Sequence, residues 1–105
     1  MNKMITRDRL IDVLLETLER HFNEMNEVVD LSSKENVKLF GGDGLLDSIG
    51  LVSYIVEVEE NLQEVFGVSI ILADEKAMSK RTSPFARISY LADYILEAIS
   101  SESYE

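Results

Sequence analysis

Apolar residues recur at three- and four-residue steps in three separate stretches, and that period constrains the fold of this chain most. Leu10, Ile11, Leu14, Leu15, Leu18 and Phe22 mark the first stretch. Leu51, Ile55, Val58, Leu62, Val65 and Phe66 mark the second, and Ile88, Leu91, Ala92, Ile95 and Ile99 the third. Each set falls on one face of a helix. The ends carry matching signals. Thr6 can cap a helix reaching about residue 22. Asp47 precedes a second helix over 48–66, and Gly67 can stop it. Ser83 can cap a third helix over 84–99, with Pro84 in the first helical position, where a missing N–H costs nothing.

The connections are less regular. Val68, Ile70 and Ile71 suggest a short extended piece without a strand partner, and Asp74 to Met78 a short helix with acids at its favoured N-terminal end. The stretch from Asn23 to Leu46 lacks a period and exceeds the ~12–15 residues beyond which structureless loops are uncommon. Its Val28, Val29, Leu31, Val37, Leu39 and Phe40 predict that it is pinned to the helices. The expected fold is all-α: a small four-helix bundle, three long helices and one short, with a long connection between the first two. A length of 105 residues fits a single domain over 1–105, with a core over about 5–99 and mobile terminal residues.

Charge and composition narrow the function. The net charge is −10. The 37 residues between Lys38 and Lys76 hold eight acids (Asp43, Asp47, Glu57, Glu59, Glu60, Glu64, Asp74 and Glu75) and no Lys or Arg. Such a surface repels nucleic acid and anionic membranes and attracts a basic protein patch. The absence of cysteine excludes disulfides, thiolate metal sites and a cysteine nucleophile. The opening "MNKMITRDRL" lacks the apolar run of a signal peptide, and no stretch approaches the ~20 apolar residues of a membrane span. The expectation is a soluble, cytoplasmic monomer without membrane insertion.

"GGDGLLDSIG", residues 41–50, places a serine at the start of the second helix. On a wheel of about 100° per residue with Leu51 at zero, the core stripe lies within about 60°. Gly50, Ser53, Glu57, Glu60 and Glu64 lie opposite, facing water. Ile49 and Val56 fall beside this acid stripe, apolar yet turned from the core, as a partner-contact patch would be. Ser48 lies in the first turn of this helix, at the positive end of its dipole and near unpaired backbone N–H groups. Gly41, Gly42 and Gly44 leave room on the approach and permit turn geometries closed to other residues.

"LLDSIGLVSYIVEVEENLQEVFGVSI" resembles the acyl carrier protein family, with its Asp-Ser-Leu-like motif at the start of the second helix. The similarity extends to the preceding helix and to "RISYLADYIL", covering nearly the whole chain. The resemblance implies that Ser48 is esterified with 4′-phosphopantetheine from coenzyme A, whose thiol carries an acyl or aminoacyl group as a thioester. It makes Asp47 the motif acid, Ile49 the motif's apolar third residue, and Val56 a position that contacts partner enzymes. The implied partners are a phosphopantetheinyl transferase, which supplies the base and magnesium, and acyl or aminoacyl ligases, transferases and synthases with basic docking patches. Ile49, Val56, Glu57, Glu60 and Glu64 would then be the docking residues, in fatty-acid, polyketide or related biosynthesis.

The chain also departs from that pattern. Common fatty-acid carriers have acids where Gly50 and Ser53 stand, so here the acidic face begins a turn later, at Glu57. The second helix is about one turn longer, near "NLQE", which keeps the apolar face nearly in phase. "GLLDSIG" is closer to stand-alone carriers of specialised pathways, including D-alanyl and polyketide types.

Other chemistries fit poorly. An EF-hand aligned on Asp43 puts Leu45 third, Ser48 where glycine is needed and Tyr54 where the bidentate Glu belongs. "GGDG" is followed by no Gly-Lys-Ser/Thr, so it is not a phosphate-binding loop. His21 reads as a surface or helix-end residue, and Tyr54, Tyr90 and Tyr94 as packing residues with a polar tip. No paired acid and base or metal cluster appears, so catalytic and metal-ligating residues are not expected. The alternative to a carrier is a non-covalent acidic helical adaptor, in which the same stripe binds a basic partner and Ser48 only caps the helix.

Overall fold

The computed structural model describes residues 5–72 and 84–102. Three helices carry the architecture: α1 (Arg7–Asn23), α2 (Ser48–Phe66) and α3 (Ile88–Glu102). A single 3₁₀ turn, Lys34–Asn36, lies between α1 and α2. The described residues include no strand. The short helix expected over 74–78 and the capping role expected of Ser83 lie outside the described residues.

The ends of α1 and α2 follow local chemistry. The Thr6 hydroxyl accepts from the Arg9 N–H at 3.2 Å, and the Asp47 carboxylate accepts from the Gly50 N–H at 2.7 Å. Each satisfies a backbone donor that a helix start leaves without a partner. At the far end of α2, Gly67 adopts φ +71°, and its N–H bonds back to the Gln63 carbonyl. Past α1 the left-handed residue is Asn26 (φ 59°), a residue type that tolerates this region better than most.

α1 packs against both α2 and α3. Leu10, Leu14 and Leu18 of α1, Val58 and Leu62 of α2, and Ile88, Leu91, Ala92 and Ile95 of α3 are wholly buried. Each large aliphatic side chain removed from water contributes ~1.5–3 kcal/mol. Polar ties fix the antiparallel register of α1 on α2. The Tyr54 hydroxyl donates to the Leu14 carbonyl and Asn61 to the Thr17 hydroxyl, which itself donates to the Val13 carbonyl within α1, at 2.7–2.8 Å. Arg9, early in α1, lies 5.8 Å from the Phe66 ring at the end of α2.

α3 begins at Ile88, four residues later than expected, and Pro84 sits in the turn before it. The reason is tertiary. The Leu39 N–H bonds to the Ala86 carbonyl and the Ile88 N–H to the Val37 carbonyl, so residues 86–88 pair with the long connection instead of coiling. Across the other edge, the N–H groups of Leu45 and Leu46 reach the carbonyls of Lys38 and Leu39. Residues 37–40 are thus held from both sides, with Val37 and Leu39 buried and Lys38 outward. The connection is pinned as expected, with one correction: Val28 is 99% exposed. After Gly67 the chain leaves the helix with Ile70 and Leu72 inward and Ile71 outward. The strand partner it lacks is replaced by a side chain: the Glu59 carboxylate accepts the Leu72 N–H at 2.8 Å.

Candidate functional site

The turn over residues 41–47 delivers Ser48 to the first position of α2, where it is exposed. Gly41 and Gly42 take positive φ, and the Gly44 N–H closes onto the Gly41 carbonyl at 2.6 Å. Gly44 itself is required by proximity: a Cβ there would lie 2.6 Å from the Phe40 Cα and N. Asp47, also exposed, performs the capping with its own carboxylate. The Ser48 hydroxyl therefore is not used as a cap, and it makes no hydrogen bond among the described residues. The Ser48 and Ile49 backbone N–H groups likewise have no acceptor there. An exposed hydroxyl beside two open N–H donors at a helix start offers a nucleophilic oxygen and a place for anionic charge.

The apolar patch beside it is larger than the sequence reading placed there. Ile49 is 81% exposed and Val56 47%. Val52, overlooked, is 59% exposed, and Leu45, at the entry to the helix, is 39% exposed. Ile49, Val52 and Val56 follow the i, i+3, i+7 spacing of a helical stripe, a signal that was present in the sequence.

The acidic residues divide. Glu60 and Glu64 are exposed and line a groove of about 370 Å³ between α1 and α2, with Arg20, Glu24, Glu57 and Asn61. Glu57 is not a water-facing member of the stripe. Its side chain is 28% exposed and its Oε2 lies 2.8 Å from His21 Nδ1. The reason is that α1 lies on this side of α2 and presents the imidazole there.

His21 corrects the sequence reading more sharply. It lies in the last turn of α1, but its side chain is 8% exposed. Its ring meets Phe22 and Tyr54 edge-on, with centroids 5.5 and 6.4 Å away. Nε2 is buried without a hydrogen-bond partner among the described residues. A lone histidine between Arg20 and Phe22 gives no sign of burial; only the approach of α2 creates it. Burial, reinforced by the negative charge of Glu57, raises the Tyr54 phenol above its ordinary pKa.

A second groove, of about 400 Å³, lies between the end of α1 and the start of α2. Phe22, Met25, Leu45, Leu46 and Ile49 supply its apolar wall, and Asp47, Gly50 and Ser53 its edge nearest Ser48. The described residues contain no group of three or more His, Cys, Asp or Glu positioned for a metal ion, and no helix among them is long and apolar enough to cross a membrane. No family model matches the chain, and comparisons with curated proteins and with solved structures return no match.

Proposed function

We propose that the chain is a carrier protein whose Ser48 is esterified with 4′-phosphopantetheine, and that it delivers acyl or aminoacyl thioesters to partner enzymes. One observation carries this reading: Ser48 stands exposed at the first position of α2, its hydroxyl without a hydrogen bond among the described residues, while Asp47 caps the helix. The residues suit the group. The phosphodiester would lie by the Ser48 and Ile49 N–H groups, and Gly41 and Gly42 of the preceding turn have open space beside their backbone.

In the attachment step the Ser48 oxygen attacks the phosphorus that bears the pantetheine arm of coenzyme A. The new O–P bond forms as the pyrophosphate P–O bond breaks, adenosine 3′,5′-bisphosphate leaves, and the hydroxyl proton passes to the transferase. The arm then supplies a thiol. This chain contributes position and recognition. Leu45, Ile49, Val52 and Val56 would enter an apolar depression on the partner, and Glu60 and Glu64 would pair with a basic rim.

Intact mass after incubation with coenzyme A and a broad-specificity phosphopantetheinyl transferase tests this. The wild-type protein gains one phosphopantetheine mass and Ser48→Ala gains none. An unchanged wild-type mass, or modification of the Ser48→Ala protein, overturns the reading.

The exposed stripe also supports a second reading, a non-covalent adaptor for a basic partner, because its residues need no prosthetic group to act. In that case the partner binds Ser48→Ala as tightly as wild type, while Ile49→Asp abolishes binding.

A further inference from the structure

We propose that the groove at the mouth of α1 and α2 is a recognition site for a cargo bearing a protonated amine, so that the group presented from Ser48 is aminoacyl rather than plain acyl. This rests on the Ser48 reading for the source of the cargo, but the site itself stands on three observations. The first is position. Asp47 and Ile49, on either side of Ser48 in the chain, both line the groove. The groove therefore lies beside the point from which a group tethered at Ser48 would fold back.

The second is charge. Among the described residues that line the groove, the acids are Glu27 and Asp47, and there is no Lys or Arg. The apolar part of the wall suits a short hydrocarbon body, and the two carboxylates suit a cation at its end.

The third is the histidine. A carboxylate only accepts hydrogen bonds, so the 2.8 Å contact with Glu57 places the ring proton on Nδ1. In the neutral ring Nε2 is then a lone-pair acceptor, buried and without a partner among the described residues. A buried polar atom left in this state costs stability, and a ligand donor that pairs with it recovers that cost. An ammonium supplies such a donor; a hydrogen in its place does not. Nε2 is closed to solvent, so contact requires a wall side chain to move aside. His21 lines the groove itself, beside Met25 and Ile49, which are 47% and 81% exposed.

The test uses ligands added free, so that it does not depend on modification of Ser48. Unmodified protein is titrated with two hydrolysis-stable amides, alanyl- and propionyl-aminopantetheine, which differ in the amine alone. His21 is the only histidine in the chain, so its imidazole nitrogens are read by ¹⁵N NMR without ambiguity. The alanyl compound moves the Nε2 resonance and saturates at about tenfold lower concentration than the propionyl compound, the worth of one charge-assisted hydrogen bond. His21→Phe, which keeps an aromatic ring among Phe22 and Tyr54, reduces that preference to near unity. Equal saturation by both compounds, or an Nε2 resonance that neither moves, overturns the proposal, and the wild-type comparison decides this even where the Phe variant does not fold. Failure of Ser48 to accept phosphopantetheine removes the carrier reading and leaves this result standing as a free amine site.

Discussion

Tyr54 is fully buried, and its hydroxyl reaches across from α2 to the Leu14 carbonyl of α1. Tyr54→Phe removes this bond while keeping the ring, and is expected to cost about 1 kcal/mol in urea denaturation at neutral pH. The same residue gives the fold an alkaline limit. Its pKa is raised in the folded state, first by burial and then by the charge of Glu57. Below the unfolded-state value of about 10 both states keep the proton. Above it the unfolded chain loses the proton and the folded one holds it, so the unfolded state binds fewer protons and stability falls as pH rises. The wild-type protein is expected to lose stability more steeply above about pH 10 than Tyr54→Phe. Parallel pH profiles for the two proteins contradict the assignment. The packing role of Tyr54 was legible in the sequence; its partner was not, because a carbonyl forty residues away leaves no local mark.

α2 was legible as an element because its signals are local. Asp47, the apolar stripe and Gly67 each act within a turn or two of their own position. The start of α3 was not, since pairing of residues 86–88 with 37–39 competes with helix formation and depends on residues about fifty positions apart. Two glycines at the edges of α2 separate strain from contact. Gly67→Ala meets nothing within 4 Å of its new Cβ, so its cost is the left-handed backbone alone, ~1–2 kcal/mol. Gly44→Ala drives its Cβ into the backbone of Phe40 and Leu39, and neither chain can yield without breaking the turn before Ser48. Thermal unfolding of the two variants is expected to show the larger loss for Gly44→Ala, together with slower modification of Ser48. The reverse order of melting temperatures rules out this account of the turn.

Across the whole molecule the net charge of −10 opposes compaction, and no Lys or Arg among residues 39–72 offsets it locally. Arg7 is a counterweight elsewhere, reaching Glu35 and Asp93 at 2.9 Å and joining α1 to the 3₁₀ turn and α3. Its side chain is 37% exposed, so the two contacts together contribute only about 1 kcal/mol. Added salt is expected to raise the melting temperature by screening the acidic face. Replacing Glu60 and Glu64 with Gln is expected to raise it at low salt and to shrink the salt effect. If the double variant responds to salt as wild type does, those two carboxylates are not a source of the strain.

The sequence alone determined the three long helices, their inward faces, the exposed serine and the uneven charge, because period, capping and composition act over a few residues or none. Tertiary structure decided the rest. It buried His21 against Glu57, made an acid of the expected docking stripe into a partner of α1, exposed Val28, and held back the start of α3. Each of these depends on which helix lies alongside which, and packing between segments distant in the chain is written in no single stretch of it.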